Sequence, residues 1–338
     1  MTSYDLAAAA PELAPGARNA IHTCLRLEAH ERVTLITDRE ALDIAAALAR
    51  EVEEVGSPYR LMVLEDYAPR PLAGMPPAVL AELERSQVSV YAAAALPGEL
   101  PARIAMAEVI NRRRIRHGHM VNIDRRIMTE GMRADFAAVD ALSSRLIEKV
   151  RPARSVRVTS PGGTDLSATF SPRLKWIKTS GIISPDKWGN LPGGEIFTCP
   201  EGVEGRFVVD GVVGDYLCRK YGDLRQTPLV IDVAGSRIRG LACDDAELLA
   251  EFRAYTATDA NSDRVGEFAI GTNIALGDVV GNILQDEKIP GVHIAFGHPY
   301  AEHTGADWAS TTHIDCVARE SSIWVDGEQV MERGRFLI

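Results

Sequence analysis

Over the first 150 residues, short apolar runs alternate with longer stretches of helical periodicity. No other feature constrains the fold as much. Residues 32–37, RVTLIT, read as a strand; residues 39–55 carry apolar side chains at helical spacing and stop at Gly56, a residue suited to a left-handed helix cap. Strand patterns recur at 59–64, 88–95 and 118–123, with helical patterns at 77–85 and 101–114 between them, and a long amphipathic helix is predicted over 129–150. Strands separated by helices imply a parallel sheet covered on both faces, so the fold class is α/β with a doubly wound N-terminal domain. No GxGxxG follows the first strand and no Walker loop occurs anywhere in the chain. This domain therefore reads as a Rossmann-like scaffold or substrate wall, not a dinucleotide site. Its one basic cluster, Arg112-Arg113-Arg114-Ile115-Arg116-His117, reads either as a solvated helix end or as an anion-binding rim.

The segment Arg151-Pro152-Ala153-Arg154 marks the expected boundary, giving domains at 1–150 and 151–338. Beyond it the chain turns to Gly, Thr, Val and short alternating runs. Strands at 156–159 and 165–170 flank Ser160-Pro161-Gly162-Gly163-Thr164, a hairpin by its turn residues. Further strands are expected at 207–210 and 229–233, a turn at Gly235-Ser236, a helix at 244–256 and a terminal hairpin over 322–330 turning at Asp326-Gly327. The second domain is thus mainly β with a few helices, an α+β unit, and it holds every residue to which chemistry is assigned below.

Composition excludes several partners. A net charge of −10 gives no broad basic surface, so nucleic acid is not expected. No apolar run is long enough to span a bilayer, and the N-terminal stretch carries acids without a basic leader, so neither a membrane partner nor a signal peptide is expected. The five cysteines are scattered and lack CxxC spacing, which argues for a reducing, cytoplasmic setting and against a structural zinc knuckle.

The chemistry gathers in residues 291–316, which hold four of the eight histidines, including His293 and His313. In His313-Ile314-Asp315, residues two apart on a strand face the same side, so imidazole and carboxylate project together as half of a divalent-metal site. The plain alternative is a hydrogen-bonded His–Asp pair. Two earlier motifs place a glutamate just after glycine at the start of an apolar strand: Gly194-Glu195 and Gly266-Glu267. A glutamate entering a buried strand is costly unless it is paired or binds a cation; otherwise it is a strand-end acid facing water. Glu195, Glu267, His293, His313 and Asp315 together fit two divalent cations sharing a bridging carboxylate, with mixed oxygen and nitrogen ligation suited to Zn, Mn or Co.

The motifs LPGGEIFTCP, VGEFAIGTN, HIAFGHPY and HIDC, in that order across the second half of the chain, resemble the aminopeptidase S/T family of dinuclear metallo-aminopeptidases. The resemblance implies metal-ligand roles for Glu195, Glu267, His293, His313 and Asp315, and implies a homodimer. Tyr300 matches a family tyrosine seven residues after the third-motif histidine and could donate to an oxyanion or orient the leaving amine. Two departures bear on substrate: the N-terminal domain is reduced, and Gly194 stands where the family commonly carries a second acid. A branch of similar length resembles dihydroxypyridine ring-opening dioxygenases holding one Fe(II), in which both motif glutamates are replaced or lost; this chain keeps Glu195 and Glu267.

The expected function is therefore hydrolysis of an amide bond in a small-molecule or short-peptide substrate: aminopeptidase-like release of an N-terminal residue by a hydroxide held between the metals, with Glu195 or Glu267 shuttling the proton. The alternatives are Fe(II)-dependent ring opening of a hydroxylated N-heteroaromatic and metal-free binding. His298 and His303 flank Tyr300 and read as ligand-supporting or surface residues; Asp307 could orient an imidazole or sit on a loop; Lys187 and Trp188 could line the pocket; Cys199 and Cys316 read as core thiols. No GxSxG is present, so serine hydrolase chemistry is not expected.

Overall fold

The computed structural model of the chain describes residues 10–186 and 188–338. It divides into two compact units, Met1–Ala137 with Gly181–Gly193, and Ala138–Ser180 with Gly194–Ile338. The division differs from the boundary read at residue 151 because the long helix Phe136–Val150 packs Leu146, Ile147 and Val150 into the second core. Periodicity shows that a helix has an apolar face, not which core receives it. That helix also begins later than residue 129. Arg125–Thr129 is a separate turn of helix, capped by the Asp124 carboxylate, which accepts the Ile127 N–H at 2.8 Å. A 3₁₀ turn follows at Gly131–Arg133, then Ala134 is extended (ψ 148°).

In the first unit, five parallel strands lie in the order Tyr59–Val63, Val33–Thr37, Val88–Ala92, Arg116–His119, Gly189–Asn190. Every residue of Val33–Thr37 and Val88–Ala92 is buried, as expected of central strands covered on both faces. The helix Leu42–Val55 buries Ile44, Leu48 and Val52 and ends at Gly56, whose φ of +81° forms the left-handed cap. The strand expected at 118–123 starts two residues earlier and ends at His119, ahead of Asn122, which adopts a φ of +60°. The basic cluster is neutralised locally: Arg112 pairs with Glu84, Arg114 with Asp186 and Arg116 with Glu31.

The second unit holds two antiparallel sheets around one core. The eight-stranded sheet contains the Ser155–Thr159/Asp165–Thr169 hairpin, the Leu229–Ala234/Arg237–Ala242 hairpin turning at Gly235-Ser236, and the Ser322–Val325/Glu328–Glu332 hairpin turning at Asp326-Gly327. The helix Ala246–Tyr255 is capped by Asp245, which accepts the N–H groups of Glu247 and Leu248. The five-stranded sheet carries the chemistry, in the order His313–Val317, Gly291–Gly297, Val265–Gly271, Glu195–Thr198, Ile177–Thr179. Mixed α/β architecture with a parallel N-terminal sheet and a mainly β second unit matches the fold class read from the sequence. Among the described residues, no helix is long and apolar enough to cross a membrane.

Candidate metal centre

Strand register explains how four distant segments meet. Ala295 lies opposite Glu267 on one neighbour and opposite Asp315 on the other. Two residues along the same face, His293 pairs with Ala269 and Val317, and Gly297 pairs with His313. Gly271 pairs with Glu195, which pairs in turn with Thr179. Alternation therefore puts Glu195, Glu267, His293, His313 and Asp315 on one face. Ala269, Gly271, Ala295 and Gly297 stand between them, small residues that leave room above the sheet.

Two glycines set the approach of the glutamates. A bulge separates Val265 from Glu267, and a Cβ on Gly266 would fall 2.1 Å from the Gly297 carbonyl oxygen. Gly194, with φ of +130°, leaves no space for a side chain against the backbone of Asn273, 2.8 Å from where a Cβ would sit. These close approaches are to neighbouring backbone, which aims the following glutamates into the site.

The imidazole Nε2 of His293 lies 3.5 Å from Glu195, 3.5 Å from Glu267 and 4.0 Å from Asp315. His313 Nε2 lies 3.7 Å from Glu267 and 3.3 Å from Asp315. Two three-residue groups have ligand atoms within 4.8 Å of one another: Glu195–Glu267–His293 and Glu267–His313–Asp315, with Glu267 common to both. Glu195, Glu267 and His293 are buried (6 %, 4 % and 1 % exposed), and His293 Nε2 has no hydrogen-bond partner. A buried ring nitrogen that makes no hydrogen bond, with carboxylate oxygens 3.5–4.0 Å away on several sides, is an arrangement that a cation would complete. The five residues fit the divalent metal implied by their chemistry.

Electrostatics agree. Burial alone would depress both imidazoles, but the surrounding carboxylates outweigh it, raising His293 to about 9 and His313, beside Asp315, to about 10. Burial would raise Asp315, yet His313 brings it down to about 2, whereas burial holds Glu267 above the ordinary carboxylate range. Without metal, protonated imidazoles supply part of the missing positive charge.

The supporting contacts fix ligand orientation. His313 Nδ1 donates to the His298 carbonyl at 3.0 Å, leaving Nε2 to face the carboxylates. Tyr255 donates its hydroxyl to the His313 carbonyl at 3.1 Å. Tyr300 sits at φ +48°, strained for a side chain of that size, with its ring 4.9 Å from that of His313 and 5.7 Å from Phe197. Burial, with Glu267 and Asp315 nearby, pushes its phenol well above the usual range, so it stays a proton donor at neutral pH.

The remaining residues separate clearly. His298 supports His313; His303 is exposed beside Glu302, and Asp307 is exposed on a loop. Trp188 belongs to the first unit, packed on His117 and His119; Lys187 lies outside the described residues. Cys316 is buried on the opposite sheet face and Cys199 is a buried thiol raised to about 11 by burial. Sequence reasoning missed Glu287 and Lys288. Glu287 forms a third group with His293 and Asp315, and Lys288 reaches Glu195 at 2.6 Å and Glu287 at 2.5 Å. The only trace in the sequence is a charged triplet, Asp286-Glu287-Lys288, following Ile283-Leu284-Gln285 and preceding Ile289-Pro290.

No curated protein sequence matches the chain significantly. The solved structure of 2,5-dihydroxypyridine dioxygenase from Pseudomonas putida KT2440 superposes with a TM-score of 0.70 at 16 % identity, covering 99 % of this chain and 98 % of that one. Wild-type AmpT from Thermus thermophilus superposes with a TM-score of 0.69 at 19 % identity, covering 97 % and 99 %. Both show a shared fold, and they represent the two branches that the motifs resemble. The sequence model of the thermophilic metalloproteases matches residues 139–335, more than half of the chain and all five clustered residues, so this protein belongs to the M29 metallopeptidase family.

Proposed function

We propose that the protein is a two-metal aminopeptidase or closely related amidase. The observation that carries this reading is the pair of overlapping ligand groups sharing Glu267. Glu195, Glu267 and His293 would hold one divalent ion, and Glu267, His313 and Asp315 the other, with Zn, Co or Mn suited to this donor set. When bound, such ions supply an acidified water and a Lewis-acid contact for the substrate carbonyl. The chain's own residues then do the rest. Glu267 or Glu195 takes the proton from the attacking water and delivers it to the leaving nitrogen. The Tyr300 hydroxyl donates a hydrogen bond to the carbonyl oxygen as charge develops there. His298 and Tyr255 keep His313 in the tautomer and position this requires.

The substrate under this reading is a small molecule or short peptide bearing a free amine, processed by a cytoplasmic homodimer. A second reading is Fe(II)-dependent ring opening at a single ion held by His313 and Asp315, with Glu267 standing where that branch carries its second histidine; the full-length likeness to a dioxygenase favours keeping it in the test. Retention of both glutamates favours hydrolysis. The deciding experiment reconstitutes the purified protein with Zn, Co, Mn or Fe(II) and screens aminoacyl amides and dihydroxypyridines, recording product amine and oxygen uptake. Amide cleavage without oxygen consumption is expected. Oxygen-dependent ring opening, or no turnover of amides with any metal, would overturn the hydrolase reading.

A further inference from the structure

Lys288 is the least expected member of the centre. It is 1 % exposed, and its ammonium lies 2.6 Å from Glu195 Oε1 and 2.5 Å from Glu287 Oε1. The helix Ile283–Asp286 places it there, anchored by Asp286, whose carboxylate accepts the backbone N–H groups of Val280, Gly281 and Asn282. Glu195 is thereby divided. One oxygen, Oε1, is occupied by Lys288 and by the Thr179 hydroxyl at 2.9 Å; the other, Oε2, faces His293. Glu287 offers an oxygen toward His293 and Asp315 while its other contact is with the same ammonium.

We propose that Lys288 is a resident counter-cation that makes the two metal positions unequal. This rests on the assignment of Glu195 as a metal ligand. A fixed positive charge beside Glu195 lowers the negative potential at the Glu195–Glu267–His293 position and limits Glu195 to one free oxygen. The Glu267–His313–Asp315 position has no lysine in contact with its carboxylates among the described residues. The His313 position therefore binds the tighter ion, and the Glu195 position binds an ion that exchanges readily. In the metal-free protein the same ammonium balances part of the charge of four clustered carboxylates, Glu195, Glu267, Glu287 and Asp315, so the pocket assembles before metal arrives.

The test is calorimetric titration of the metal-free full chain with Zn²⁺ and with Mn²⁺, comparing wild type with Lys288→Met. Wild type should show two steps of different affinity. In Lys288→Met the weaker step should tighten at least tenfold while the tighter step moves less than threefold, and the metal-free variant should melt at a lower temperature than metal-free wild type. If Lys288→Met does not fold, the comparison moves to the charge-balanced background, Glu287→Gln against Glu287→Gln/Lys288→Met, where loss of the lysine should again tighten only the weaker step. A weaker step that is unchanged or loosened by removing the lysine overturns the inference and leaves the metal-site reading intact. Wild type that binds neither ion overturns the reading itself, and the inference with it.

Discussion

Replacing Gly194 with alanine tests whether backbone packing aims Glu195. The φ of +130° at this position is one that side-chain-bearing residues rarely adopt, and it costs about 1–3 kcal/mol. The added methyl would meet the Asn273 Cβ at 2.7 Å and its backbone N at 2.8 Å, so backbone must move as well as side chain. Overpacking of that kind costs about 1–3 kcal/mol more. Relaxation is restricted, because the Gly194 N–H donates to the Thr179 carbonyl at 2.8 Å and its carbonyl accepts the Thr272 N–H at 2.7 Å. The sum is roughly 2–6 kcal/mol, which for a unit of this size lowers Tm by on the order of 10 °C. Calorimetric melting of Gly194→Ala with and without metal reads this directly, and the stabilisation by added metal should shrink because Glu195 shifts. A melting temperature within a degree or two of wild type, with full stabilisation by metal, would show that the close approach is unimportant.

Other outcomes follow from the same geometry. Glu267→Gln, which alters the carboxylate common to both ligand groups, should reduce turnover by at least roughly 10²-fold and lower bound metal in elemental analysis, with circular dichroism unchanged. Tyr300→Phe should lower kcat by roughly 10²-fold while metal content and KM hold, as expected for a donor used at the transition state. Stability of the metal-free protein should fall as pH rises. His293 and His313 titrate near 9 and 10 in the folded chain against about 6.5 unfolded, so their contribution is complete below about 6.5 and is lost toward about 10. Metal-loaded protein, whose ligand imidazoles are already neutral, should lack that loss; melting curves across this range, with chelator or metal, check both halves.

Much of this centre was legible because strand chemistry is periodic. The spacing of His313 and Asp315 places both on one face without knowledge of any partner, and glycine before Glu195 and Glu267 marked close backbone approach. Buried runs such as VTLIT announced the parallel sheet, and Gly56 the end of its helix. Lys288 and Glu287 stayed hidden because adjacent opposite charges ahead of a turn usually face water; their burial depends on where the Asp286-anchored loop directs them. The two-residue strand Gly189–Asn190, which returns to the first sheet, is too short for any periodicity, so the chain's return to the first unit could not be read. His298 orients His313 through its backbone carbonyl, which residue identity does not reveal, while its imidazole accepts the Tyr300 N–H at 3.1 Å.

The most direct test of the central claim is a crystal structure of metal-reconstituted protein with anomalous scattering recorded at the metal edge. Two peaks are predicted, one among Glu195, Glu267 and His293 and one among Glu267, His313 and Asp315. Anomalous density confined to another place, such as the group His22, Glu51 and Glu54, with none among these five side chains, would contradict it.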